Sequence, residues 1–164
     1  MKHLLLIIIF FVACIGINAQ QREFQINDKV YVYDSISKKL FNKQNTMGGF
    51  KNECLNFSSI DKVTSFYPQI VEVFSDDRIT YFMKNKCSIL MNTIFDLNGI
   101  IKEVYFNFYN IAINEELIKE ISLLENKIIG HKINFKSQCS EQKFFKLAWA
   151  FNFKRIKSSF EMAD

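Results

Sequence analysis

The stretch Phe95-Asp-Leu-Asn-Gly-Ile-Ile-Lys-Glu-Val-Tyr-Phe106 predicts a β-hairpin and is the best-defined unit of the chain. Asn98-Gly99 is a pair that favours a tight turn between two antiparallel strands, and strand-like residues lie on both sides of it. The strand pattern extends outward in both directions, so the predicted hairpin covers residues 87–109.

Two turns are compatible with this hairpin, and they differ in which side chains they bury. A two-residue turn at Asn98-Gly99 places most of the apolar residues on one face, and the apolar pattern favours this register. Asp96 and Gly99 also fit the ends of a type I turn with a bulge, which shifts the pairing by one residue. The two-residue turn predicts the pairs Leu97–Ile100, Phe95–Lys102, Thr93–Val104, Met91–Phe106 and Ile89–Phe108.

Two helices are predicted on either side of the hairpin in the sequence. The first begins at Ser75 and ends near Asn85, because a serine followed by two carboxylates favours a helix N-terminus. The second covers residues 114–129, with Asn114 as its N-cap and Gly130 as the residue that ends it. Apolar residues recur along this second helix at helical spacing.

Further strands are predicted before and after these elements. The segments Phe24-Gln-Ile26 and Val30-Tyr-Val-Tyr33 are strand-like, and the pair between them favours a turn. Strict apolar alternation predicts a final strand over 145–155, and residues 132–135 fit a short one. The remaining stretch, 35–60, is the least regular. The order of elements predicts an α+β domain with two layers, in which a mostly antiparallel sheet has two main helices packed on one face.

The first nineteen residues predict an export signal. A basic start is followed by a ten-residue apolar run and then by polar residues, and that run is too short to span a bilayer. Cleavage after Ala19 leaves 20–164 as a single mature domain. The alternative is that Phe11-Val-Ala-Cys14 acts as a lipobox, which would lipidate Cys14 and anchor the domain to a membrane. We therefore expect a periplasmic or extracellular protein, with a lipid-anchored envelope protein as the alternative.

Two family resemblances follow from this layout. The Phe95–Phe106 hairpin, the helix that begins Asn114-Glu-Glu-Leu and the strand after it resemble the small βαβ-containing module of TonB C-terminal domains over residues 87–136, which implies a protein-contact role. The whole layout, including the opening Asn27-Asp-Lys-Val-Tyr-Val-Tyr33, is similar to uncharacterised small secreted proteins of gut Bacteroidetes. That resemblance implies an exported domain of unknown activity and supplies no catalytic residues.

Three cysteines remain in the mature chain, and export makes a disulfide plausible. The preferred pair is Cys54 with Cys87, which leaves Cys139 as a buried thiol. The alternative is that all three are reduced and act as small apolar residues. Spacing alone does not choose between these arrangements.

Composition and motifs point away from several kinds of chemistry. Loss of Lys2 with the signal leaves 20 basic and 17 acidic residues, a nearly balanced charge that gives no reason to expect nucleic acid. The cations around the last strand, Lys146, Lys154, Arg155 and Lys157, accompany aromatic residues that we expect in the core. Asp76-Asp77 is explained by the helix start. No spacing typical of a metal or cofactor site occurs, so neither is predicted.

Three functions are compatible with the sequence, and a non-enzymatic role is preferred. The first is an exported domain that acts by contact with an unknown protein or envelope component, with membrane contact only if Cys14 is lipidated. The second is a small-molecule or glycan-binding module. The third is a thiol hydrolase that uses Cys139 with His131 as its base. The residues proposed for ligand contact in the second function are Tyr31, Tyr33, Tyr105 and Tyr109.

We predict that the protein exported by its native host begins at Gln20. The reason is that the apolar run ends before the polar Asn18-Ala-Gln boundary, where signal cleavage is favoured. Intact-mass spectrometry measures this directly. A chain that starts at Cys14 with an added acyl mass would establish the lipobox instead, and a chain that retains residues 1–19 would contradict both.

Overall fold

The computed structural model describes residues 20–52, 54–139 and 142–161, so the export signal and Cys14 lie outside the described residues. Eight strands are present in this part of the chain. Six of them form one antiparallel sheet in the order β1-β2-β3-β6-β5-β8, and β4 pairs with β7 in a separate ribbon. The strands are β1 (Gln21–Ile26), β2 (Lys29–Asp34), β3 (Lys39–Asn42), β4 (Phe57–Ile60), β5 (Ser88–Asp96), β6 (Ile101–Tyr109), β7 (Phe135–Ser137) and β8 (Phe144–Ala150).

Four α-helices and one short 3-10 helix accompany the sheet in the described residues. Both predicted helix starts are confirmed: the Ser75 side chain accepts a hydrogen bond from the Arg78 amide, and Asn114 accepts one from the Leu117 amide. The helices are α1 (Tyr67–Val73), α2 (Asp76–Lys84), α3 (Glu115–Ile128) and α4 (Phe153–Glu161), and the 3-10 helix covers Val63–Phe66. None of them is long and apolar enough to cross a bilayer.

The body of the β5–β6 hairpin has the register that the apolar pattern favours, whereas its tip has the alternative turn. The pairs Ile89–Phe108, Met91–Phe106 and Thr93–Val104 are confirmed. At the tip, the Gly99 amide donates to the Asp96 carbonyl across a four-residue turn, and Gly99 has a φ of +81°. The predicted pairs Leu97–Ile100 and Phe95–Lys102 are therefore wrong, because Phe95 pairs with Ile101. A second irregularity, between Ile94 and Phe95, shifts the pairing back. From Ile94 to the start of β5 the strands therefore have the predicted register.

The two faces of the sheet have different surroundings. One row of paired residues crosses all six strands, and five of its six members belong to the main hydrophobic core. The same core contains the buried residues of all four described helices, so the helices cover this face, and the predicted α+β arrangement is confirmed. The row consists of Arg22, Tyr33, Leu40, Phe106, Met91 and Trp149. We call the opposite side of the sheet the open face.

The predicted final strand over 145–155 is wrong in its second half. β8 ends at Ala150, and Asn152 starts helix α4 by accepting the Arg155 amide on its side chain and the Ile156 amide on its carbonyl. Phe151 and Phe153 are buried, as the alternation predicts, but they flank a helix start and do not lie in a strand. A short apolar-polar-apolar run is compatible with either structure.

The short strand predicted at 132–135 is displaced along the chain. Lys132 forms only an isolated bridge with Ile100, and β7 begins at Phe135. β7 pairs with β4, which lies in the stretch that the sequence left irregular. Strands of three and four residues give too little periodicity to be recognised from sequence.

The disulfide joins Cys54 to Cys139, so the predicted Cys54–Cys87 pair is wrong. Its two Cα atoms are 5.9 Å apart because β4 and β7 pair immediately beside them, and the Gln138 amide donates to the Asn56 carbonyl. Cys87 lies in the main core, where it is buried and free, and its thiol donates to the Asn110 carbonyl.

We predict that replacing Cys54 and Cys139 together by alanine lowers the free energy of unfolding by about 4 kcal/mol. A cross-link between residues 85 positions apart removes a large part of the loop-closure entropy of the unfolded chain. Urea unfolding of the double variant measures the loss. The matched control is Cys87→Ala, which removes only local packing and a weak hydrogen bond and should cost less. Peptide mapping without reductant that links Cys54 to Cys87 would contradict the assignment.

Candidate functional site

The four tyrosines proposed for ligand contact do not meet in one groove. Tyr31 and Tyr33 lie on the helix-covered face and are buried, and Tyr105 is buried on the open face. Tyr109, at the end of β6, is 47% exposed. Three of the four rings are therefore buried, and the set does not form one exposed aromatic surface.

Tyr31 instead fastens helix α3 to the sheet. Its hydroxyl donates to the Glu125 carboxylate and lies 3.0 Å from the Ser122 hydroxyl. Burial and the bond to Glu125 raise the pKa of Tyr31 well above its usual range. The Lys29 ammonium lies 3.4 Å from the same carboxylate, which compensates its buried charge. This cluster is internally paired and has a structural role.

Tyr105 and Glu103 form a second buried polar cluster, on the open face. The Glu103 carboxylate accepts hydrogen bonds from the Tyr105 hydroxyl, from the Thr46 amide at 2.8 Å and from the Met47 amide at 2.9 Å. Burial alone would raise the pKa of Glu103, but these hydrogen bonds outweigh it and hold the pKa below its ordinary value of 4.5. Glu103 therefore fastens the loop after β3 to the sheet, and both of its oxygens are engaged.

The thiol mechanism loses its nucleophile in this structure. Cys139 is bonded to Cys54, so it has no thiolate to offer, and His131 packs against Phe66 with ring centroids 5.5 Å apart. Burial raises the pKa of the remaining thiol, Cys87, which disfavours its reactive form. Within the described residues, no group of three or more His, Cys, Asp or Glu side chains could hold a metal ion.

A largely apolar concave surface is the open pocket between helices α2 and α4, which we call the α2–α4 pocket. It has a volume of 570 Å³, within the range of about 300–1,000 Å³ that is usual for small-molecule sites. Its apolar lining comes from the end of α2, from the 3-10 helix and from the turn between β8 and α4. These residues are Val63, Phe82, Met83, Phe151 and Phe153.

Two polar groups with little solvent contact belong to the lining of this pocket. Tyr67 is 8% exposed, and its hydroxyl is buried with no hydrogen-bond partner among the described residues. Such a hydroxyl is costly unless a partner is supplied. The second group is the Cys87 thiol, which is already bonded to a backbone carbonyl.

Three cations lie at the edge of the pocket, namely Lys86, Lys154 and Arg155. Each is exposed, and none forms an ion pair with any described residue. No acidic residue lines the pocket. By contrast, Lys157 on the same helix α4 is neutralised by Asp76 at 3.1 Å. The pocket therefore combines an apolar floor with an uncompensated positive edge.

A second groove differs from the α2–α4 pocket in the charge of its lining. It lies between the hairpin tip and the β4–β7 ribbon and has a volume of 510 Å³. Its edge carries Lys132 and Lys136 together with Asp61, whose carboxylate accepts a hydrogen bond from the Asn134 amide. Because it is lined by both signs of charge, this groove has no comparable charge preference.

Sequence reasoning placed Lys154 and Arg155 beside a core strand and did not bring them together with Tyr67 or Lys86. The signal in the sequence is Asn152, which can cap a helix. A helix that begins there places Lys154 and Arg155 in its first turn. For Tyr67 the only signal is the adjacent Pro68, which marks a helix start and carries no information about a pocket.

We predict that Glu103→Gln lowers the free energy of unfolding by about 2 kcal/mol near pH 7, because a charged acceptor of two backbone amides is lost. The pKa of Glu103 is lowered in the fold, so its contribution is present above 4.5 and is lost as the pH falls through the folded value. Urea unfolding measured across this pH range should show that the free energies of unfolding of wild type and Glu103→Gln converge in acid.

The matched control is Glu23→Gln, which removes an exposed carboxylate paired with Lys43 at 2.9 Å. Its cost should stay below about 1 kcal/mol. An equal loss in both variants, or a wild-type advantage that persists in acid, would show that the Glu103 carboxylate does not act in this way.

Neither a protein-family model nor a curated protein sequence matches the chain. Among solved structures, the crystal structure of a DUF5043 family protein from Bacteroides uniformis ATCC 8492 has a similar fold, with a TM-score of 0.60 and 18% identity. The match covers 81% of this chain and 85% of that chain. It agrees with the expected likeness to proteins of gut Bacteroidetes, whereas the likeness to TonB is not shown. At this identity the similarity establishes a shared fold alone.

Proposed function

We propose that this protein is an exported, non-enzymatic binding domain that holds an amphipathic anion in the α2–α4 pocket. The ligand would be an alkyl or aromatic group that carries a carboxylate or phosphate. One observation carries the proposal: an apolar pocket of 570 Å³ has three cations and no acid in its lining. Of the functions compatible with the sequence, this is the small-molecule alternative, at a site other than the four tyrosines.

The apolar part of the ligand would contact the aromatic floor. The Phe82 and Phe153 rings are 4.8 Å apart between centroids and are almost fully buried, so they form a rigid surface. Met83 is partly buried beside them, and its flexible side chain adapts to ligands of different shape. Removal of ligand carbon from water on this floor would supply the main favourable free energy.

The charged part of the ligand would be drawn to the edge of the pocket. Lys86 follows helix α2, whereas Lys154 and Arg155 lie in the first turn of α4, so the cations approach the pocket from two sides. Cations in a first helical turn are disfavoured by the positive end of the helix dipole, and neither Lys154 nor Arg155 forms an ion pair with a described residue. A bound anion would relieve this repulsion.

The Tyr67 hydroxyl offers a further contact. It lacks a partner in the described residues, and it belongs to the pocket lining. A small rotation of the ring or a shift of its neighbours would let it donate to a ligand oxygen. Such a bond would favour oxygen-containing ligands over pure hydrocarbons.

Export and the absence of catalysis are part of the proposal. A disulfide between Cys54 and Cys139 is compatible with an oxidising compartment, and it removes the thiol that a hydrolase would have used. An acyl anion can be free or can belong to an envelope lipid, so contact with an envelope component remains compatible with the same pocket. Lipidation of Cys14 would add a tether and leave the pocket unchanged.

We predict that sodium dodecanoate binds to the mature protein and that Lys154→Gln with Arg155→Gln weakens this binding about tenfold, because two partly solvated attractions are lost. Isothermal titration calorimetry measures the affinity. The neutral analogue dodecanol should bind equally to wild type and the double variant. Alkylation of Cys87, which lines the pocket and already reacts slowly because it is buried, should slow further when dodecanoate is bound.

The matched control is Lys84→Gln, because Lys84 lies two residues from Lys86 but does not line the pocket. Its affinity should stay within about twofold of wild type. Met83→Trp should block binding by filling the groove. Binding of the protein to phosphatidylglycerol vesicles is then compared with binding to phosphatidylcholine vesicles. Preference for phosphatidylglycerol indicates that the anion belongs to a lipid, whereas binding of dodecanoate alone indicates a free acid. Unchanged affinity in both the double variant and Met83→Trp would remove the pocket as the binding site.

A further inference from the structure

The open face of the sheet carries a second concentration of positive charge, independent of the α2–α4 pocket. Lys39 on β3 and Lys146 on β8 both turn toward Tyr105, which lies on β6 between them. Their ammonium nitrogens are 4.4 Å and 6.0 Å from the centroid of the same ring. Two strands that are not adjacent in the sheet therefore direct their cations to one place.

Both lysines are fixed on rigid elements. Lys39 pairs with Asn107 in the β3–β6 ladder. The backbone of Lys146 is hydrogen-bonded on its outer side to Asn52, whose side-chain oxygen accepts from the Lys146 amide and whose nitrogen donates to the Lys146 carbonyl, each at 2.7 Å. The Tyr105 ring beneath them is itself held by Glu103. Little backbone entropy therefore remains to be lost at these two positions when a ligand binds.

Neither lysine has an ion-pair partner among residues 20–52, 54–139 and 142–161. Two carboxylates in this region are already engaged in other hydrogen bonds. Glu103 is saturated by the loop after β3 and by Tyr105, and Asp34 accepts hydrogen bonds from the backbone amides of Ile36 and Ser37. Burial lowers the pKa of Lys39, the neighbouring Lys146 charge contributes in the same direction, and the Asp34 carboxylate acts against both.

We propose that Lys39 and Lys146 form a binding site for an oxyanion group on the open face. The group is a sulfate, phosphate or carboxylate, since each presents several oxygens to two ammonium donors at once. Phe41 and Phe144 are partly exposed, one on each of the same two strands, so that a ligand bearing this group would meet apolar surface beside it. A bound anion would offset the repulsion between the two lysines.

The test is a titration with inorganic sulfate and inorganic phosphate at constant ionic strength, followed by amide and lysine NMR signals of the full mature chain. We expect saturable shifts around Lys39 and Lys146 and an upward shift in the pKa of Lys39 on binding. Lys39→Gln and Lys146→Gln should each weaken binding about tenfold, because a charge-assisted hydrogen bond is lost. Lys39→Arg keeps the charge and should restore most of the affinity.

The matched control is Lys136→Gln, which removes the same charge from the separate β4–β7 ribbon and should leave affinity within about twofold. Thermal unfolding without the anion confirms that each variant is folded. Shifts that do not saturate, or an equal loss in Lys136→Gln, would reduce the effect to general charge screening and overturn the proposal. Because dodecanoate binding is measured with different variants, the two proposed sites can fail separately.

Discussion

Burial of one face of the β5–β6 hairpin is the interaction on which the other elements depend. Both strands lie inside the six-stranded sheet, between β3 and β8, and their pairing puts Met91 and Phe106 side by side in the core. A one-residue slip would turn these side chains toward the open face. The irregular turn at Gly99 is accommodated by the second irregularity, between Ile94 and Phe95, which restores the register from the Ile94–Glu103 pair onward. The helices and the α2–α4 pocket then follow from the need to cover that face.

The sequence predicted the elements whose signals are local and repeated. The helix caps at Ser75 and Asn114, the body of the hairpin and the α+β class all follow from side-chain chemistry within a few residues. It failed where a pattern was short or compatible with two structures. The run Phe151-Asn-Phe153 fits a strand and a capped helix equally, and only tertiary packing selects the helix. The disulfide was missed because the β4–β7 pairing that brings Cys54 to Cys139 involves strands too short to recognise.

Neither candidate site could be predicted from the sequence, because each joins residues that are distant along the chain. Tyr67, Lys86 and Arg155 meet only because α2 and α4 lie over the same part of the core. Two of the tyrosines proposed for ligand contact, Tyr31 and Tyr105, instead belong to the buried clusters that fasten α3 and the loop after β3 to the sheet. The Tyr31–Glu125 and Tyr105–Glu103 clusters are paired internally, whereas the unpaired cations lie at surfaces and the Tyr67 hydroxyl lacks a partner among the described residues. That division of roles is the physical basis for assigning binding to the edges of the core.

Binding at the α2–α4 pocket is the central claim, and its location can be mapped without any substitution. Hydrogen exchange of the mature protein, recorded with and without dodecanoate, reports which backbone amides the ligand protects. The account predicts slower exchange at the end of α2 through Cys87 and from Phe151 into the first turn of α4, with β1 and β2 unchanged. Protection at the open face instead, or no protection at either segment under saturating ligand, would contradict it.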